Sequence, residues 1–307
     1  MNIKIDTVSK QYGDVTALDG PSFEIPAGST FGILGTNGAG KTTLFRLLVG
    51  HDVPDDGGIS VGGINTADAG DAVRGRIGYL PEQVGFPGLL TGVEVLELHA
   101  RVHGIDHVPE RIDAVLETVG LADAGDRRVS GYSNGMRRRL GLAAALVPEP
   151  SVLVLDEPTA GLDPRGVESF HRIIERIDET TQATVIMTSH VLPEVERVCD
   201  RVAILHEGEL CAVGSVEELT DESMATVHVN IRPESEDARE HICQIVDVFA
   251  NVSAEQSKIA LDIPRGRVFE LLGALDSTMV RQLEVNEPGL DAVFHNAIGK
   301  TETVVVQ

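Results

Sequence analysis

Apolar and polar positions alternate over residues 2–9 and 22–26, the two-residue period of strands with one face exposed. A shorter strand is expected at Gly57-Gly58-Ile59-Ser60-Val61-Gly62-Gly63, between glycine turns. The period becomes helical over 93–103, 109–119, 135–147 and 166–179, and briefly over 193–199. Segments 29–34, 151–155 and 183–188 are nearly continuous apolar runs, the pattern of parallel strands covered on both faces. Residues 202–205 and 209–213 read as a hairpin turning at Glu207-Gly208. Up to about residue 220, then, buried strands interleave with helices, which predicts an α/β domain over 1–220. A boundary falls at 220–224, and the pattern beyond it is different. Strands are expected at 226–232, near 247–253, at 257–263 and at 279–285, with helices at 236–246, 266–274 and 288–298. That succession predicts a small α+β module over 225–300, of βαββαβ, ferredoxin-like type.

The chemistry concentrates between the strand at 29–34 and a helix expected at 41–50. Gly35-Thr36-Asn37-Gly38-Ala39-Gly40-Lys41-Thr42-Thr43 has the spacing of a phosphate-binding P-loop. Small residues let the backbone wrap a phosphate chain with its N–H groups pointing inward, and the helix beginning near Gly40 adds the positive end of its dipole. Lys41 supplies an ammonium to the β- and γ-phosphates, and Thr42 a hydroxyl to Mg²⁺. A hundred residues on, the apolar strand 152–155 ends in Asp156-Glu157. Asp156 suits a Mg²⁺ ligand acting through water, and Glu157 a base that polarises an attacking water.

Composition narrows the partners. A length of 307 residues agrees with two domains, and 42% hydrophobic content is enough for ordinary cores, though with no Trp they must rest on Val, Leu, Ile and Ala. No apolar run approaches the roughly 18 residues of a membrane span, and Met1-Asn2-Ile3-Lys4-Ile5-Asp6 has no signal-peptide pattern. The expectation is a cytoplasmic chain that reaches a membrane only through a partner. Cys199, Cys211 and Cys243 are widely spaced, as reduced structural thiols would be. Acidic residues number 48 against 25 basic ones, a net charge of −23, which argues against nucleic acid as the main partner. Lysine is confined to positions 4, 10, 41, 258 and 300. High acid and low lysine resemble the bias of salt-in halophiles, so a haloarchaeal source is expected: dense carboxylates hold water and cations where salt screens their repulsion.

Four further segments, in order, resemble the motifs of ATP-binding-cassette (ABC) transporter ATPases. Tyr79-Leu80-Pro81-Glu82-Gln83 is similar to their Q-loop and Tyr132-Ser133-Asn134-Gly135-Met136 to their signature. Ala160-Gly161-Leu162-Asp163 is similar to the D-loop, and Thr188-Ser189-His190 to the H-loop. The resemblance covers about residues 1–220. It implies a P-loop NTPase fold of ABC type, with a RecA-like core, an antiparallel β subdomain and a helical signature subdomain. It also implies roles. Tyr12 would stack on adenine, Gln83 would touch Mg²⁺ and the attacking water, His190 would contact the γ-phosphate, and Asp163 would communicate across a dimer. Ser133, Asn134, Gly135 and Met136 would cap the nucleotide held by the P-loop of a second ATPase subunit, most simply another copy of this chain. The expected machine is an ATP hydrolase bound to a polytopic membrane permease.

This signature departs from the commonest form, Leu-Ser-Gly-Gly-Gln. Tyr-Ser-x-Gly-Met followed by Arg-Arg-Arg-Leu-Gly-Leu-Ala is typical of the ABC-2 exporter class, and Asn286-Glu287-Pro288-Gly289-Leu290-Asp291-Ala292-Val293-Phe294 resembles the segment that ends many of its ATPases. Thr36 stands where the P-loop usually has Pro, which loses a preset φ but no phosphate donor. Ser189 to Glu196, with Tyr132 to Ala143, is similar to ATPases that support copper-site maturation in nitrous oxide reductase, although the chain shows no copper-ligand cluster. Two other classes compete. A soluble ABC ATPase acting on ribosomes or nucleic acid would usually carry two cassettes or long insertions. A P-loop kinase or GTPase would leave the signature and H-loop unexplained.

Overall fold

The computed structural model describes all residues except 69, 106–108, 224–225, 247, 250–251, 256–257, 277, 287–288 and 303–307. The chain divides into two compact units, Met1–Ser215 and Val216 onward. The division precedes the expected boundary at 220–224 because Val216–Ser223 forms a helix that packs on the terminal helix Leu290–Glu302 of the second unit.

The first unit is built on a six-stranded sheet. From one edge its strands run Glu209–Ser215, Arg201–His206, Thr30–Gly35, Thr184–Ser189, Val152–Leu155 and Ile77–Leu80. All neighbours are parallel except the first pair, the expected hairpin. Every residue of Thr30–Gly35, Val152–Leu155 and Thr184–Ser189 is buried, which is why these strands read as unbroken apolar runs. Four parallel strands end together on one side, delivering the P-loop, the Q-loop, Asp156-Glu157 and His190 to a single rim. In open α/β sheets ligands bind outside the carboxyl ends of the strands.

A second sheet is antiparallel. Ile3–Tyr12 lies at its centre and pairs with Val15–Asp19, Phe23–Ile25 and Asp56–Val61; Ile64–Asn65 closes the far edge. Ile3, Ile5, Phe23, Ile25, Ile59 and Val61 bury one face in a core shared with Phe31, Phe45 and Leu47. Three of the unit's described helices pack on one another. Gly92–Val102 begins with a reciprocal cap, in which Thr91 Oγ1 accepts from the Glu94 N–H and Glu94 Oε2 accepts from the Thr91 N–H. Pro109–Thr118 and Asn134–Leu146 pack with it. Asn134–Leu146 also lies on strand Ile77–Leu80, so closely that a Cβ at Gly78 would stand 2.3 Å from the Ala145 carbonyl oxygen.

In the second unit, strands Thr226–Pro233, Val252–Glu255, Lys258–Pro264 and Val280–Asn286 alternate with helices Glu236–Val246 and Val268–Ala274. The antiparallel sheet order is second, third, first, fourth, the ferredoxin-like arrangement. Val229, Ile231, Ile242, Ile259, Leu261 and Leu271 make its core. The start of the last expected helix, at 288, lies outside the described residues.

Candidate nucleotide site

The P-loop leaves the central strand and enters helix Lys41–Leu48 through Gly40, whose φ is +98°. A Cβ there would meet the Ala17 carbonyl oxygen at 2.4 Å, so glycine is required by both conformation and space. No side chain caps the helix, and its first N–H groups stay open to a ligand. A cavity of about 530 Å³ sits over them, lined by Val15–Ala17, Asn37–Thr43, Glu82, Glu157, Ala160 and His190. Lys41 is buried, and its Nζ donates to the carbonyl oxygens of Gly35 at 2.7 Å and Thr36 at 3.1 Å. Burial pulls its ammonium below the usual lysine range, against the opposing pull of Glu157 and Asp156.

Behind Glu157, which lines the cavity, Asp156 is buried and its Oδ1 accepts from Thr188 Oγ1 at 2.8 Å. Burial pushes its carboxyl above the ordinary aspartate range, and the Thr188 bond offsets part of that rise. A dication would favour the charged form again. Thr188 serves twice, because its Oγ1 also accepts from the Glu157 N–H at 2.8 Å. Glu157 has φ +45°, left-handed backbone that a non-glycine residue keeps only where surroundings hold it. Its Oε2 stands 2.8 Å from His190 Nδ1. An open helix N-terminus, a lysine ammonium, a threonine hydroxyl and two carboxylates fit a nucleotide triphosphate and its metal ion.

The signature residues lie elsewhere. A separate cavity of about 460 Å³ is lined by Ser133, Asn134, Gly135, Arg139, Gly161–Asp163 and the first turns of the following helix. Two helices begin on it. Ser133 caps Asn134–Leu146, its Oγ accepting from the Met136 N–H, and Asp163 caps Pro164–Thr180 by accepting from the Gly166 N–H. The Ser133 hydroxyl hydrogen remains available to donate. Asn134 Nδ2 donates to the Gly161 carbonyl, tying signature to D-loop. The two cavities share no lining residue.

The ABC transporter family model matches residues 18–160. The linearmycin resistance ATP-binding protein LnrL of Bacillus subtilis (strain 168) is 31% identical over 309 residues, covering 97% of this chain and 99% of that protein. The chain belongs to the ABC transporter ATP-binding family. The daunorubicin resistance ATP-binding protein DrrA3 of Streptomyces coeruleorubidus is 43% identical over 224 residues, 72% of this chain and 70% of its own length. Among solved structures, the dimeric structure of MJ0796, a bacterial ABC transporter cassette, superposes with TM-score 0.62 at 26% identity, over 69% of this chain and 98% of that one. This ABC subunit is therefore a transport ATPase with relatives that act in drug resistance. No helix among its described residues is long and apolar enough to cross a membrane.

Of the expected site residues, Tyr12, Gly35, Thr36, Gln83 and Asp156 do not line the ABC nucleotide cavity, and Met136 does not line the signature cavity. Gln83 instead lines a groove with Tyr79, His51 and His99, while its neighbour Glu82 faces the nucleotide side. Tyr12 donates from its hydroxyl to Asp52 Oδ2 at 2.6 Å and does not line the cavity; its cross-strand partner Val15 does. Val15–Ala17 and the role of Arg138 escaped the sequence reading, and Thr188 was named only as part of the H-loop segment, without its bonds to Asp156 and Glu157. Arg138 is the middle of the three arginines that follow the signature, a run the sequence reading used only for its resemblance to exporter ATPases. The signal was its register: it shares a buried stripe with Gly141, Leu142 and Ala145.

Proposed function

We propose that the chain energises an ABC-2 type exporter by closing two copies around ATP and hydrolysing it. One observation carries this reading: the P-loop and the signature of a single chain face different cavities, so neither can complete a site alone. In the pair, Asn37–Thr43 of one copy holds the phosphates, and Ser133, Asn134, Gly135 and Met136 of the other cap them. Lys41 balances phosphate charge, and Tyr12 with Val15 borders the base. Thr42 and Asp156, joined by Gln83 once the Q-loop turns inward, would hold Mg²⁺, which neutralises phosphate charge. Glu157 orients and deprotonates the attacking water, and His190 leaves Glu157 to contact the γ-phosphate. Asp163 reports closure to the partner copy.

The permease would dock over the groove that contains Gln83, keeping this ABC subunit at the cytoplasmic face of the membrane. Daunorubicin and linearmycin resistance in the relatives favours a small organic cargo; neither of those names concerns copper. The acid-rich composition suits a cell with concentrated salt. Action on ribosomes or nucleic acid draws no support from the charge or the relatives.

Glu157→Gln tests the reading, because Gln keeps the shape and removes the base. Turnover should fall about 100- to 10,000-fold while MgATP still binds. In size-exclusion chromatography at high salt, this variant should shift to a dimer on adding MgATP. Adding Ser133→Arg should reverse the shift. Wild-type turnover by Glu157→Gln would remove Glu157 from its role, and an ATP-bound variant that stays monomeric would refute pairing by the subunit alone.

A further inference from the structure

Arg138 is the most heavily engaged buried cation on the rim of the nucleotide site. It projects from helix Asn134–Leu146 and is only 5% exposed. Its Nε donates to the Pro158 carbonyl oxygen at 2.9 Å. Its Nη1 donates to the carbonyl oxygens of Pro81 and Glu82, and its Nη2 to those of Asp156 and Glu157. Five acceptors on two loops thus converge on one planar group, and all five are main-chain oxygens. None is a carboxylate, so Arg138 neutralises no single side chain. It fixes the path of two backbones. One runs directly into Gln83; the other carries Asp156 and Glu157.

Glu157 has the most to gain from such a clip. Its left-handed φ of +45° is unfavourable for a residue with a Cβ. Its N–H is held by Thr188 and its carbonyl by Arg138, so both ends of the strained residue are pinned. The carboxylate direction follows from that backbone. The same helix begins at Ser133, five positions earlier, where the signature faces its own cavity. A rotation of the helix at the signature must therefore drag the Glu157 and Glu82 carbonyls or break their bonds.

We infer that Arg138 is a positioning residue that couples the signature of each subunit to the hydrolytic carboxylate and Q-loop of the same subunit. The inference rests on the proposed role of Glu157. Signature contact with the γ-phosphate of one site thereby adjusts Glu157 in the other site. Lysine cannot substitute, because an ammonium has three donors around a point and cannot span two loops in a plane.

The test uses the full chain with MgATP, at protein concentrations that allow pairing. Arg138→Lys keeps charge and stem, and Arg138→Gln removes the charge; melting and ATP binding show that each is folded. Both should lose roughly 100-fold in kcat, the scale of a misplaced catalytic group, with KM for ATP little changed. Combined with Glu157→Gln, either should add almost nothing to the loss, since Arg138 acts through the missing carboxylate. Wild-type kcat in folded Arg138→Lys overturns the inference, as does a loss that multiplies in full onto Glu157→Gln or appears only in KM. Should Arg138→Gln fail to fold, Arg138→Lys alone decides. If Glu157→Gln by itself turns over normally, the role of Glu157 fails instead.

Discussion

Lys41 rests its ammonium on the carbonyls of its own loop, at Gly35 and Thr36. Those bonds satisfy a buried cation until a stronger acceptor arrives, and phosphate oxygens are stronger acceptors than peptide carbonyls. Lys41→Ala should therefore weaken ATP binding roughly 10- to 100-fold, the range of one charge-assisted hydrogen bond of about 1.5–3 kcal/mol. Nucleotide titration in high salt measures it, and wild-type affinity in a folded variant would strip Lys41 of this role. The glycines beside it are constrained differently. Gly40 needs both its positive φ and the space beside Ala17, whereas Gly38, at φ +86°, needs the backbone freedom alone, since a Cβ there would meet nothing within 4 Å. At this scale the sequence was most legible where spacing alone defines chemistry, as along Gly35 to Thr43. It was least legible where a side chain's partner lies on a distant element. Thr188 reads as one more residue of an apolar strand, yet it holds both Asp156 and Glu157.

Elements divide along the same line. The buried parallel strands were plain because covering both faces removes alternation, and the long helices because their apolar stripes are wide. Val15–Asp19 and Ile77–Leu80 were missed as strands. The first is five residues with a mixed burial pattern, and the second is only four residues long, too short for a periodic pattern. The Thr91–Glu94 cap went unread in the sequence. The Thr91–Glu94 box closes the first helix of the signature-bearing subdomain, away from the P-loop cavity. Thr91→Ala should cost about 1 kcal/mol of stability. In a unit of this size that lowers the melting temperature by about 2–4 °C. Scanning calorimetry would read the shift, and ATP affinity should not follow it; a change in affinity without a change in melting would mean the cap serves the site rather than the helix.

For the whole molecule, charge sets the terms. A net charge of −23 on 307 residues repels itself most where screening is weakest. Raising salt from 0.1 M to 1 M shortens the Debye length from about 10 Å to 3 Å. The melting temperature should rise across that interval, and an unchanged value would count against adaptation to salt. How such changes can be watched follows from another feature. The chain has no Trp, three Tyr and eight Phe, so tyrosine, a stronger emitter than phenylalanine, dominates its intrinsic ultraviolet emission, with no indole to drain it. Each emitter occupies a different working part. Tyr12 is bonded to Asp52 at the strand end beside the cavity, Tyr79 lies against Asp156 with its phenol pushed up to about 12 by burial, and Tyr132 is buried under the signature with its hydroxyl on the Ala124 carbonyl. The molecule thus carries one native optical reporter at the strand end beside the nucleotide cavity, one at Asp156 and one at the signature segment. Replacing any two with Phe would leave a spectroscopic channel devoted to the third.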